Sequence, residues 1–297
     1  MSAFTEIGQL VRTTSGGAEP SVVSIGRHGR GTGFVIAEGR VLTNAHNLRD
    51  RTTQVRFADG RRVQGTVVGS DVDGDLVVLE ADTGDAAALA WSDSTPDTGD
   101  VVVTVSAGRH QVRSTFGQVT AVNRGFHGPR GRPIAGAIEH TAPSAAGSSG
   151  APVLDADGRV LGINTHRLEH GFYLARSADQ TLRDTVSALS DGRTVERVTL
   201  GVALAPAHVA SRLRAAVGLA ERDGLLVRSV VEGSPAATAG IVTGDLLVRA
   251  GEHALHSPDD LFAALATIQP GGDLTIAVVR GADELDVTVT FPTADTV

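Results

Sequence analysis

The sequence predicts a mainly β protein built from two or three domains. Its 297 residues include 36 glycines, and short valine-rich runs alternate with turns rich in glycine and aspartate. Short apolar runs between such turns are typical of strands, whereas helical bundles need longer periodic segments. A chain of this length exceeds one average domain, and each of two or three domains is long enough to bury a core.

Two successive sets of strands are predicted in the first 176 residues. Apolar runs bounded by turns occupy residues 22–25, 33–36, 41–42, 55–57, 63–68 and 76–79. Segment 91–99 is rich in turn-forming residues, and a second set of apolar runs begins at Val101. We therefore expect two β units in sequence.

The pattern changes after Tyr173. Leu182, Val186 and Leu189 recur at intervals of four and three residues, which predicts a helix with one apolar face. The polar, glycine-containing segment that follows breaks this spacing. We interpret residues 190–198 as a linker.

The run GSSGAP at residues 147–152 predicts a serine nucleophile at Ser149. A serine hydroxyl reacts only when a neighbouring base takes its proton, and that base must itself be oriented. By composition the run also fits a flexible linker. The strand-like runs that bracket it closely favour the nucleophile.

Upstream residues supply a base and a carboxylate. His46 follows a short predicted strand, and Asp75 comes just before another. Taken singly, a strand-end histidine and a turn-forming aspartate are ordinary features, but with Ser149 they predict a catalytic triad. Asp71 and Asp73 compete for the carboxylate role. Asp75 is favoured because an aspartate next to a buried strand is better shielded.

The residue inventory excludes several chemistries. All 26 residues counted as lysine or arginine are arginine, and there is no cysteine. Lysine Schiff bases, phosphate-binding P-loops, thiol nucleophiles and disulfides are therefore excluded. His166 and His170 have a spacing that metal sites use, but a strand and loop are expected there, which favours a surface pair. No metal and no cofactor is predicted.

Charge and hydropathy limit the partners and the location. The net charge of −8 provides no basic stripe for nucleic acid. No apolar run is long enough to span a membrane. Residues 1–6 have neither the charged nor the apolar region of an export signal. The sequence as written predicts a cytoplasmic protein, or an extracytoplasmic one if a leader is missing.

The chemistry-bearing motifs together resemble those of trypsin-like proteases, and within them of the HtrA (Deg) family. They are GTGFVI (31–36), VLTNAH (41–46), DGDLVVLE (73–80) and GSSGAPVLDADGRVLGINTH (147–166). Three such motifs in this order, spread over more than a hundred residues, form a specific signal, whereas any one alone is weak.

This resemblance implies a chymotrypsin-like double β-barrel. The protease domain would cover residues 20–189, with barrels at about 20–95 and 98–176 and a helix at its end. It implies that Ser149 is the nucleophile, His46 its base and Asp75 the residue that orients His46. The backbone N–H groups of Gly147 and Ser149 would form the oxyanion hole.

Residues 199–293 resemble a PDZ domain of the HtrA type, an α+β fold. Two Ser-Pro pairs, at 234–235 and 257–258, each predict a helix start, with serine as N-cap and proline in the first turn. The family's carboxylate-binding loop matches Leu200, Gly201, Val202 and Ala203. This match implies that peptide C-termini bind there as an added strand.

The resemblance implies a serine endopeptidase that cleaves unfolded or misfolded proteins, with PDZ binding used for substrate capture or activation. P1 is the residue before the scissile bond. Segment 141–145 contains no acidic residue that could bind a basic P1 side chain, so a small apolar P1 residue is expected. Two alternatives remain open. One is a catalytically weak, chaperone-like or scaffolding PDZ protein, and the other is an esterase or peptidase with a narrow non-protein substrate.

The N-terminal segment, residues 1–19, carries an apolar helical face formed by Phe4, Ile7, Leu10 and Val11. HtrA proteases trimerise through this segment, so the resemblance implies a homotrimer. The same face could instead pack on the chain's own barrel.

Overall fold

The computed structural model describes residues 2–108, 111–219 and 222–293. The chain divides into two compact units, Met1–Val195 and Glu196–Val297. The first contains two closed six-stranded barrels, and the second a sheet with three helices. The mainly β prediction is therefore confirmed.

The first barrel is built from short strands, as the spacing of turns predicts. They are β1 (Val22–Ile25), β2 (Gly31–Ala37), β3 (Arg40–Thr43), β4 (Thr52–Arg56), β5 (Arg62–Asp71) and β6 (Leu76–Glu80). Neighbouring strands follow the order β1-β2-β3-β6-β5-β4, and β1 closes the ring by pairing with β4. Its interior is mainly aliphatic, with Val23, Ile25, Val35, Val41, Val55 and Leu79 fully buried.

The second barrel repeats this topology. Its strands are β7 (Val101–Ala107), β8 (Val112–His127), β9 (Pro133–His140), β10 (Pro152–Leu154), β11 (Val160–Arg167) and β12 (Tyr173–Ser177). They follow the order β10-β11-β12-β9-β8-β7, with β10 paired to β7. The turn between β9 and β10 carries the predicted nucleophile.

Two helices flank the barrels. Helix α1 (Ala3–Ala18) begins at the N-cap Ser2 and carries Phe4, which is 86% exposed, near its start. Helix α2 (Gln180–Ser190) begins at Asp179, whose carboxylate accepts the Leu182 N–H at 2.8 Å. The three apolar residues that predict α2 are buried in it, at Leu182, Val186 and Leu189.

The second unit is an α+β fold. It contains β13 (Val202–Leu204), α3 (Ala207–Ala216), β14 (Leu225–Val230), α4 (Pro235–Thr238), β15 (Leu246–Ala250), β16 (His253–Ala254), α5 (Pro258–Ala266), β17 (Asp273–Arg280) and β18 (Asp283–Thr290). The sheet order is β13-β14-β15-β17-β18, with β16 on β15. Helices α4 and α5 begin at the predicted Ser-Pro pairs. The sequence analysis missed α3.

We expect Leu189→Ala to lower the free energy of unfolding of the first unit by about 2–5 kcal/mol, because the side chain is fully buried and its truncation leaves a cavity. Chemical denaturation measures this loss. The matched control is Thr181→Ala on the exposed side of α2. Equal effects of the two substitutions would contradict the packing described for this helix.

Candidate active site

The carboxylate of Asp75 and the imidazole of His46 are hydrogen-bonded to each other. His46 lies in a short 3-10 helix, Ala45–Asn47, which follows β3, and Asp75 immediately precedes β6. His46 Nδ1 is 2.8 Å from Asp75 Oδ2 and 3.0 Å from Oδ1, and the His46 backbone N–H donates to Oδ1 at 3.0 Å. Asp75 is fully buried, whereas the His46 side chain is 35% exposed. The pair is therefore fixed at its inner end and accessible at its outer end.

The backbone at Asp75 adopts an unusual conformation that aims its carboxylate. Its φ angle is +57°, a left-handed value that aspartate tolerates better than most residues. Asn44 donates its side-chain N–H to the Asp75 carbonyl at 3.0 Å and holds this turn from the β3 side. Such strain costs roughly 1–3 kcal/mol and persists only where neighbouring contacts enforce it.

Thr165, at the end of β11, connects this pair to Ser149. Its hydroxyl donates to Asp75 Oδ2 at 3.2 Å, and its carbonyl accepts from Ser149 Oγ at 3.3 Å. The structure thus brings all three predicted triad residues to one place, although they are separated by more than a hundred positions in sequence. The sequence analysis missed Thr165, and the GINT run that contains it was the only signal present.

The first barrel holds the turn that carries Ser149. The Ser149 carbonyl accepts from the Thr32 N–H and from Asn47 Nδ2, both at 2.9 Å. The Thr32 hydroxyl donates to the Gly147 carbonyl at 2.7 Å. Gly150 has a φ of +85°, and a Cβ there would lie 2.1 Å from the Thr32 carbonyl oxygen, so only glycine permits this approach. Asn47 and Thr32 were missed because their partners lie on the other barrel.

The backbone amides next to Ser149 differ in whether they have an acceptor. The N–H groups of Ser148, Gly150 and Ala151 donate to carbonyls of the turn and of β11. Among residues 2–108, 111–219 and 222–293, no acceptor occupies the N–H groups of Gly147 and Ser149. Gly147 has a φ of +89°, a conformation that glycine adopts without cost. These two amides are the pair that the resemblance implies as an oxyanion hole.

The competing aspartates have other partners. Asp71 accepts the Gly74 N–H at 2.8 Å, which tightens the turn before β6. Asp73 lies 3.5 Å from the Arg132 guanidinium. The carboxylate bonded to His46 is therefore that of Asp75.

A buried histidine stabilises the walls around Ser149. His140 Nδ1 accepts the Ala142 N–H at 3.2 Å, and its Nε2 lies 2.8 Å from Asn164 Oδ1. A backbone N–H can only donate, so Nδ1 is unprotonated and Nε2 carries the hydrogen. Burial lowers the His140 pKa, partly offset by the bond to Asn164. The backbone of Asn164 also pairs with Gly150 and Ala151, which connects this histidine to the nucleophile turn.

His166 lies close to the pair as well. Its Nδ1 is 3.1 Å from the Thr165 hydroxyl, and its ring packs against Phe126 with centroids 5.2 Å apart. Burial lowers the His166 pKa, the charge of Asp75 opposes this shift, and His46 adds to it. We find no group of three or more potential metal ligands in the described part of the chain.

The predicted peptide-binding loop lies at the open edge of the second unit's sheet. Leu200 is buried and its carbonyl accepts the Ala236 N–H at 3.0 Å, while the Gly201 carbonyl accepts the Val231 N–H at 2.9 Å. Val202 and Ala203 belong to β13, which pairs with β14 on one side and, among the described residues, with no strand on the other. An additional strand could pair with that edge.

Comparisons with known proteins divide the chain in the same way. Residues 31–163 match the model of the trypsin-like peptidase domain, and residues 198–291 match that of the PDZ domain. A probable periplasmic serine endoprotease, DegP-like, from Brucella suis biovar 1 (strain 1330) is 33% identical over 277 residues, which cover 88% of this chain and 52% of that protein. The chain thus spans about half the length of the curated relatives it matches.

Solved structures have a similar fold over most of the chain. The HtrA-type protease AlgW with decapeptide is 23% identical, with a TM-score of 0.68 over 94% of this chain and 97% of that chain. The serine endoprotease from Yersinia pestis is 24% identical, with a TM-score of 0.66 over 96% of this chain and 98% of that one. At this level of identity the similarity concerns the fold.

The predicted cytoplasmic location is wrong. The relatives from Brucella suis and Halomonas elongata are named periplasmic endoproteases, which points to an extracytoplasmic location. The prediction depended on a missing export signal, and such signals are separate from the folded domains and are removed from mature proteins. Within the described residues, no helix has the length and apolarity to cross a bilayer.

We expect the buried His140 to make the first unit sensitive to acid. Below about pH 6.5 the unfolded chain takes up a proton at this histidine while the folded chain resists it, because its pKa is lowered. The free energy of unfolding should therefore fall below pH 6.5, by at most about 1.4 kcal/mol per pH unit from this group.

Denaturant titrations at pH 7.5 and 5.5 measure this loss. His140→Gln should be less stable at pH 7.5 but should lose less between the two values than the unsubstituted chain. The control, His28→Gln, replaces an exposed histidine of the same unit and should keep the original pH dependence. An unchanged pH dependence in His140→Gln would contradict the expectation.

Proposed function

The chain belongs to the HtrA family of trypsin-like serine proteases, and from this membership we propose that it is a serine endopeptidase that cleaves unfolded or misfolded proteins. The observation that carries the proposal is a chain of hydrogen bonds in the first unit. Buried Asp75 holds His46, and Thr165 connects Asp75 to Ser149. This arrangement supplies a nucleophile, a base and the residue that orients the base.

In the proposed mechanism, Ser149 Oγ attacks the peptide carbonyl and His46 accepts its proton. Because His46 Nδ1 is hydrogen-bonded to Asp75, the proton is taken at the other ring nitrogen, Nε2. His46 then returns the proton to the leaving amine, while the carboxylate of Asp75 stabilises the charged imidazole. Asp75 is fully buried, and the attraction between the two charges is stronger there because the protein interior screens it less than water does.

The negative charge that develops on the carbonyl oxygen would be accepted by the N–H groups of Gly147 and Ser149. Their lack of a protein acceptor within the described residues supports this role, since an occupied amide could not bind the oxyanion. The neighbouring bonds from Thr32 and Asn47 hold the turn in place before substrate binds. A preorganised hole of this kind contributes without further rearrangement.

We propose that the second unit binds peptide C-termini at Leu200, Gly201, Val202 and Ala203. The open edge of β13 supports addition of a peptide strand, and the buried side chains of Leu200, Leu261 and Leu265 belong to one apolar cluster below it. Binding there would either retain substrate or activate the protease. The HtrA-type structures solved with a decapeptide and a tripeptide support peptide binding as a property of similar proteins.

We also propose a homotrimer that works outside the cytoplasm. Val11 of α1 packs against the core of its own unit, which uses part of the predicted apolar face, whereas Phe4 remains 86% exposed and available to another copy. The names of the periplasmic relatives support the location. The molar mass of the chain in solution tests the trimer.

A fluorophosphonate probe should label the protein at Ser149 near neutral pH, because only an activated serine reacts with it. Ser149→Ala should abolish labelling, and mass mapping should find the adduct on that serine. Asp75→Asn should lower kcat on unfolded casein by a factor on the order of 10⁴, the loss seen when the same carboxylate is changed in other triads. Absence of labelling would favour the scaffold alternative.

A labelled peptide with a free C-terminal carboxylate should bind more tightly than its C-terminally amidated form, because the loop offers N–H groups to an anion. Fluorescence anisotropy measures the two affinities. Equal affinities would contradict carboxylate recognition. The rate of casein cleavage with saturating peptide then separates activation, which raises the rate, from competition for substrate, which lowers it.

A further inference from the structure

A cavity of about 280 Å³ opens beside Ser149. Its walls are segment 144–149, which includes the candidate oxyanion amides, and the end of β11 from Asn164 to Arg167, with Tyr173 of β12. If Ser149 attacks a peptide carbonyl, the side chain that enters this cavity is the P1 side chain. The inference below therefore depends on the proposed endopeptidase function and concerns its specificity.

The hydrogen bonds around His140 determine which atoms the cavity presents. The Ala142 N–H donates to His140 Nδ1, so Nε2 carries the hydrogen and donates to Asn164 Oδ1 at 2.8 Å. The oxygen of the Asn164 carboxamide is thus occupied, and its NH₂ group lies on the other side, 3.4 Å from Ser144 Oγ. Because an NH₂ group has two hydrogens, one donor remains for a ligand.

Hydroxyl groups add to these donors. Tyr173 is 7% exposed and lines the cavity, and its hydroxyl has no hydrogen-bond partner in the described parts of the chain. The Ser144 hydroxyl donates only a long bond, 3.4 Å, to the Ala142 carbonyl. An apolar P1 side chain would cover these groups and leave them without partners, which is costly in a confined site.

The charge of the lining is positive. Arg167 is an exposed lining residue, and it has no ion pair with any described residue. No aspartate or glutamate lines the cavity. A basic P1 side chain would therefore meet a like charge and several donors, whereas a carboxylate would meet an opposite charge and groups that donate to it.

We propose that the protease cleaves preferentially after acidic residues, glutamate above all, with the P1 carboxylate bound by Asn164 Nδ2, the hydroxyls of Ser144 and Tyr173, and the Arg167 guanidinium. This replaces the small apolar P1 residue expected from segment 141–145. That expectation considered one wall of the cavity, whereas Asn164, Arg167 and Tyr173 come from two later strands.

The test uses peptide substrates that are identical except at P1, where they carry Glu, Gln, Val or Lys, together with mapping of cleavage sites in casein. We expect kcat/KM for Glu to exceed that for Gln and Val by tenfold or more, and casein to be cut mainly after Glu and Asp. Arg167→Gln should reduce the Glu-to-Gln ratio about tenfold, and Arg167→Lys should restore most of it. Tyr173→Phe should lower kcat/KM for Glu and Gln, which share an acceptor oxygen, more than for Val.

Arg113→Gln, an exposed arginine outside the cavity, is the matched control and should leave every ratio unchanged. Preferred cleavage after Val, or a Glu-to-Gln ratio that Arg167→Gln does not alter, would overturn the acidic preference while the endopeptidase function stands. Fluorophosphonate labelling distinguishes the two failures. A chain that neither labels at Ser149 nor cuts casein would overturn both proposals.

Discussion

The buried carboxylate of Asp75 is the constraint on which the arrangement of the first unit depends. A fully buried charge is costly unless every lone pair is used, and this one accepts from the backbone and ring of His46 and from the hydroxyl of Thr165. Those donors come from different barrels, His46 from the short helix after β3 and Thr165 from β11. The same bonds that make the buried charge tolerable therefore determine where the histidine stands relative to the serine.

The junction of the two barrels follows the same principle. Thr32 and Asn47 of the first barrel bind the carbonyls of Gly147 and Ser149 in the second. These bonds use the oxygen atoms of the turn, and among the described residues the N–H groups of Gly147 and Ser149 have no acceptor. A turn held by its carbonyls can present its amides to a substrate. The absence of a Cβ at Gly150 permits the close approach of the two barrels.

Next to this turn, the protonation of the His140 ring nitrogens determines which groups donate hydrogen bonds and which accept them. One backbone N–H, that of Ala142, determines the tautomer of His140, which in turn determines the orientation of the Asn164 carboxamide. The consequence reaches the cavity beside Ser149, where donors rather than acceptors are presented. In the proposed specificity, His140 acts through Asn164 and does not itself line the cavity, and burial lowers the His140 pKa.

The sequence by itself determined the mainly β class, helix α2 and the helix starts at the two Ser-Pro pairs, because hydrophobic periodicity and capping are local properties. It also predicted a triad of His46, Asp75 and Ser149 from local motifs, and the structure brings these three residues together. Only the tertiary structure decided how Thr32, Asn47, Thr165 and the walls of the cavity contribute. Their roles arise from contacts between distant strands, and a side chain's spacing along the chain does not encode which distant atom it meets.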